Sequence, residues 1–80
     1  MSLHLQSVRV KTGSHDTEGL LIFADDLLVA VLVRLSDDHE EDAGKWFLEA
    51  GFDGADDPVQ PKFVDLDEAQ AWIYRRLGGH

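Results

Sequence analysis

Ser14-His15-Asp16 sets a hydroxyl, an imidazole and a carboxylate side by side. These are the groups of a hydrolytic triad, in which nucleophile, base and orienting acid converge from separate positions. Consecutive residues cannot converge in that way, so the tripeptide reads as a polar turn. Ser36 to Gly44 offers different chemistry, with Asp37, Asp38, Glu40, Glu41 and Asp42 crowded around His39. Carboxylates are suitable ligands for Ca²⁺ or Mg²⁺. An EF-hand register started at Asp37, however, puts Asp42 where glycine is needed and Leu48 where the bidentate Glu belongs. A loop started at Asp53 fits no better. Crowded like charges repel and stay hydrated, so the run is read as a solvated loop without a specific metal. His4, His15, His39 and His80 show no short ligand spacing. No glycine-rich phosphate loop and no basic-aromatic patch is present. Catalytic residues, metal ligands and cofactors are therefore all assigned as none.

Composition bounds the rest. Eighty residues are read as a single α+β domain over 1–80, and such a chain folds with little margin. The formal charge of −9 favours solubility and opposes direct binding to nucleic acid or anionic membranes. With no Cys there is no disulfide framework and no thiolate zinc site. The first residues lack the basic and apolar regions of a signal peptide. The longest apolar run, Leu27 to Val33, is far too short to span a bilayer. A cytoplasmic location without membrane contact is the expectation.

The elements that would position any site are legible in pattern. Gln6 to Lys11 alternates, with Val8 and Val10 on one side; Leu3 and Leu5 have the opposite parity and imply a bulge or a separate lead-in. Leu20 to Ala24 and Leu27 to Leu35 are apolar strands joined by Asp25-Asp26, whose side chains suit a reversal. Lys45 to Phe52 is the last strand, with Trp46, Leu48 and Ala50 toward the core and Phe47 with Glu49 opposite. Asp53 to Lys62, with Gly54, Pro58 and Pro61, reads as a loop. Asp65 followed by Glu68 forms a capping signal, and helix is expected from Leu66 to about Leu77. Leu66, Ala69, Ile73 and Leu77 form its apolar stripe, with Trp72 alongside. Arg75 and Arg76 oppose its negative end, and Gly78-Gly79 stops it. The fold class expected is a four-stranded antiparallel meander with one C-terminal helix packed on one face.

A turn centred on Asp25-Asp26 pairs Ile22 with Val29, Leu20 with Val31, Phe23 with Leu28 and Leu21 with Ala30. One face then carries Leu20, Ile22, Val29, Val31, Val33 and Leu35; the other carries Leu21, Phe23, Leu28, Ala30 and Leu32, ending at Arg34. One helix of about 12 residues is roughly 18 Å long and covers one such face, not both. Leu21, Phe23, Leu28, Ala30, Leu32 and Phe47 are therefore expected on the uncovered side, as the interface of a homodimer joined sheet to sheet. The rival is a curled monomer with Leu3, Leu5 or the Pro58–Phe63 segment folded over the patch. Trp46, Phe47, Phe52 and Trp72 are read as core aromatics, Phe47 being the best placed for contact with a partner.

Leu28 to Leu35, Gly44 to Phe52 and Leu66 to Ile73 together resemble small uncharacterised bacterial proteins with a sheet followed by one helix. That resemblance covers most of the chain and implies no known activity, so it transfers no functional residues. The leading functional expectation is a non-catalytic interaction module that self-associates or takes a protein partner. The alternatives are a small-ligand or metal-binding domain and an acidic mimic of nucleic acid that occupies another protein's site. An enzyme ranks last, because no nucleophile, base and oxyanion donor assemble from the sequence.

Overall fold

A computed structural model describes residues 2–56 and 61–78 of the chain. The elements are β1 (Leu3–Arg9), β2 (Glu18–Ala24), β3 (Leu27–Arg34), a 3-10 segment (Asp37–Asp42), β4 (Trp46–Gly51), β5 (Lys62–Phe63) and α1 (Leu66–Arg76). The sheet is an antiparallel meander in the order β1-β2-β3-β4-β5. The fold is thus α+β with one C-terminal helix, and the sheet has five strands where four were expected. The extra strand, β5, is only Lys62–Phe63. Two residues carry no readable period, and Pro61 beside them argues for a loop. Proline lacks only the donor, though: the Pro61 carbonyl accepts from the Leu48 N–H at 3.1 Å. Pro58, Gly79 and His80 lie outside the described residues.

The β2–β3 hairpin turns at Asp25-Asp26, with Asp25 at φ 55°, a left-handed turn position that Asp tolerates. Phe23 pairs with Leu28, as the sequence predicts, and Ala24 pairs with Leu27 next to the turn. Beyond them the register changes, because Ile22 pairs with Ala30 and Val29 is left as an extra residue in β3. A bulge of this kind inverts the parity of every later side chain in the strand. Ala30 and Leu32, expected on the uncovered face, are consequently both fully buried on the helix side. Val31 and Val33 take their places on the far face. A second irregularity puts Val31 opposite Ala50 and Leu32 opposite Leu48, so Glu49 is the additional residue and Ala50 joins the far face, away from the core.

The core forms where α1 lies on the sheet. Ala69 and Ile73 pack with Leu20, Ile22, Val29, Ala30, Leu32, Leu48 and Phe63. Leu3 and Leu5 border this cluster and belong to one continuous β1, with no bulge. Their opposite parity to Val8 means that β1 serves both faces, one at each of its ends. Helix α1 starts where the capping signal puts it: Asp65 accepts from the Glu68 N–H at 2.8 Å, and Glu68 accepts from the Val64 N–H at 3.1 Å. Gly78, at φ 86°, takes the left-handed conformation that ends it. No helix among the described residues is long and apolar enough to cross a membrane.

Candidate functional site

The register sorts the sheet into cross-strand rows, and these rows define the candidate sites. On the helix side the last row draws one residue from each strand: Arg9, Glu18, Arg34, Trp46 and Phe63. Arg9 pairs with Glu18, Arg34 with Trp46, and Trp46 with Phe63. Glu18 and Arg34 meet through their side chains at 3.3 Å. The row continues into the helix, since Phe63 packs on Trp72 with ring centroids 5.5 Å apart and the Arg76 guanidinium lies 4.9 Å from the Trp72 ring centre. A cleft of about 770 Å³ opens between this row and the start of α1, with Leu20, Trp46 and Leu66 among its walls.

On the far face, three rows stack from the β2–β3 turn upward. The first is His4-Phe23-Leu28, the second Gln6-Leu21-Val31-Ala50, and the third Val8-Gly19-Val33-Phe47-Lys62. The third row is covered in part. Val33 and the neighbouring Leu35 are buried, and Thr12, Ser14, Asp16 and His39 wall a cavity of about 290 Å³ above them. The first two rows remain half-exposed, and Leu28, Leu27 and Phe52 are exposed at their end of the sheet. Of the expected interface residues, Leu21, Phe23, Leu28 and Phe47 lie on this face; Ala30 and Leu32 do not. Leu3 and Leu5 turn to the helix side, as does the buried Phe63, so none of them folds over the open rows.

The cover over the third row is held by two His–Asp contacts. His15 Nδ1 pairs with Asp38, and His39 Nε2 lies 2.6 Å from Asp16 Oδ2. The consecutive letters Ser14, His15 and Asp16 thus turn to separate partners. The Ser14 hydroxyl meets Thr12 Oγ1 and accepts from the Asp16 N–H. Asp16 is buried and its Oδ1 accepts from the Ser36 N–H at 2.7 Å. That backbone donor, followed by the Ser36 hydroxyl and then His39, holds the Asp16 carboxyl down at about 2 against the opposing effect of burial. The Ser36 hydroxyl is buried beside the carboxylate; it falls outside hydrogen-bond geometry yet still favours the charged form. An Asp that orients a His is half of a catalytic apparatus, but among the described residues no hydroxyl hydrogen-bonds His39.

The acidic run is not an extended loop but two short 3-10 turns joined at Glu40, whose φ is 51°. Its carboxylates diverge to separate partners. Asp38 meets His15, and Asp42 accepts from Lys45 at 2.9 Å and Lys62 at 3.0 Å. Among the described residues no group of three or more His, Asp or Glu is arranged to hold a metal ion. The Asp16–His39 contact and the Arg9–Glu18–Arg34 row both escape a reading of the sequence. Each joins residues from different loops or strands, and only the register reveals them.

The class this architecture defines is an antiparallel five-stranded meander with a single C-terminal helix on one face. Comparison with protein-family models, curated proteins and solved structures finds no match.

Proposed function

We propose that this chain is a small non-catalytic interaction module that self-associates through the two open rows of its far sheet face. The observation that carries the reading is the composition of those rows. His4, Phe23 and Leu28, with Gln6, Leu21, Val31 and Ala50, contain no carboxylate, in a chain with 16 Asp and Glu and a net charge of −9. The exposed Glu49 stands beside them at the edge of β4, so a second copy docks with that acid left at the rim in water, and a two-fold axis matches apolar centre to apolar centre. Area sets the strength. Four strands and about five residues span roughly 19 by 16 Å, on the order of 300 Å² in projection. That is within the range of the largest patch on an ordinary soluble monomer and small beside the about 800 Å² per partner of a standard interface. The association is accordingly weak, with a dissociation constant of about micromolar order.

Sedimentation equilibrium tests this reading. A monomer–dimer equilibrium is expected at protein concentrations up to about 100 μM, well above a micromolar dissociation constant. A single species of monomer mass across that range overturns it.

A further inference from the structure

The far face leaves the cleft on the helix side without a role, and that cleft has its own chemistry. Arg9 and Arg34 flank Glu18 at its rim. Glu18 reaches Arg34 through one contact of 3.3 Å, with both side chains at least half exposed, so the pair is weak. Arg9 donates to the Thr17 hydroxyl at 3.0 Å, and no carboxylate among the described residues lies within ion-pair distance of it. A guanidinium without an acid is notable where acids outnumber basic residues by 16 to 7. The row carries a local surplus of positive charge, while the walls behind it, Leu20, Trp46 and Leu66, are apolar. The volume of about 770 Å³ lies within the range of small-molecule sites.

We propose that this cleft binds an amphipathic monocarboxylate, its carboxylate held between Arg9 and Arg34 and its hydrocarbon or aromatic body laid against Leu20, Trp46 and Leu66. A planar guanidinium suits a carboxylate, because its donors match the two oxygens in parallel. Glu18 is the internal competitor. It occupies Arg34 in the free protein and turns to solvent when a ligand carboxylate arrives. The site uses neither the far face nor the acidic run, so its fate is independent of self-association.

An amide-resolved NMR titration with sodium octanoate, and separately with 1-octanol, tests the assignment. Octanoate is expected to saturate with a dissociation constant of about 1 mM or below, moving the amides of Arg9, Glu18 and Leu20 and the Trp46 indole. The neutral alcohol, lacking the charge, binds about tenfold more weakly. Arg9→Gln weakens octanoate by about threefold or more and leaves octanol unchanged, whereas Glu18→Gln tightens octanoate by removing the competitor. Both substitutions are at exposed positions and spare the core. The proposal is overturned if octanol binds as tightly as octanoate, if neither substitution changes octanoate affinity, or if the shifts centre on Phe23 and Leu28. Absence of saturable shifts up to about 5 mM octanoate overturns it as well.

Discussion

His39 Nε2 donates to Asp16 Oδ2 across 2.6 Å, fastening the 3-10 segment after β3 onto the loop between β1 and β2. An ionised carboxylate only accepts, so Nε2 carries the hydrogen. The other oxygen of Asp16 takes the Ser36 N–H, and together these bonds seat the loop over Val33 and Leu35. Asp16→Ala strands a backbone donor in a part-buried site, and an unmade bond of that kind costs about 1–3 kcal/mol. Urea denaturation should show the midpoint falling with an unchanged slope. An unchanged midpoint would mean that water replaces the carboxylate without loss.

Acid should loosen the same region. The Asp16 carboxyl is held at about 2, and Asp42 is lowered to about 2 by Lys45 first and Lys62 second. Both folded values lie below the ordinary carboxylate value of about 4, so the unfolded chain binds more protons as pH falls. Their contribution is complete above about pH 4 and is lost as pH drops through 4 toward 2. Unfolding midpoints measured between about pH 5 and pH 2 should decline, and Asp16→Asn should flatten part of that decline. Asp42 is more exposed, so its share is the smaller one. An Asp16→Asn curve parallel to that of the unmodified protein would remove Asp16 from the account.

Which face of β3 a side chain takes depends on Val29 alone. The sequence shows two apolar runs and a turn, and it correctly pairs Phe23 with Leu28. It holds no mark of the bulge, because a Val at position 29 is equally content in a regular strand. From Ala30 onward a purely periodic reading is therefore inverted. Leu32→Glu puts a carboxyl group at a fully enclosed apolar position, a loss comparable to the roughly 5–10 kcal/mol that holds a domain of this size, and should unfold the protein. Val31→Glu places the same group on the half-exposed face and should leave the protein folded. Circular dichroism of the two variants separates the registers: a folded Leu32→Glu beside an unfolded Val31→Glu would restore the unbulged hairpin.

Helix α1 was legible because its signals are local. The cap, the acidic first turn, the basic last turn and the stop at Gly78 all lie within a few residues of the bonds they make. Asp65→Ala should cost about 1 kcal/mol in chemical denaturation. An unchanged midpoint and slope would mean that solvent caps the helix equally well. The Asp16–His39 contact and the charged row have no such local signal. Arg9 and Arg34 are 25 positions apart, and only strands paired in register bring both to one cleft.

Gly51 ends β4 where the chain folds back on itself. A Cβ there would overlap the carbonyl oxygen of Ala55, itself fully buried in the core. The obstacle is backbone rather than the tip of a flexible side chain, so relief requires the turn through Asp53 and Gly54 to move. Gly51→Ala should therefore destabilise by about 1–3 kcal/mol, as overpacking does. Thermal unfolding checks this, and a raised midpoint would show that the turn has room to yield.

Self-association, if it uses the open rows, has a particular salt dependence. Each chain carries −9, so two copies repel, while the contact rows themselves hold no carboxylate and Glu49 stands only at their β4 edge. Screening weakens the repulsion and leaves apolar contact intact, since the Debye length shortens from about 20 Å at 20 mM salt to about 4 Å at 500 mM. The dimer should therefore tighten as salt rises over that range. A basic partner attracted by the acidic surface would respond in the opposite direction, losing affinity with salt. Phe23→Glu puts a charge at the centre of the first open row and should abolish association while the chain stays folded, because Phe23 is only half-buried. Sedimentation equilibrium on both proteins at low and high salt is the measurement. Association that weakens with salt, or that survives Phe23→Glu, would remove the far face as the interface.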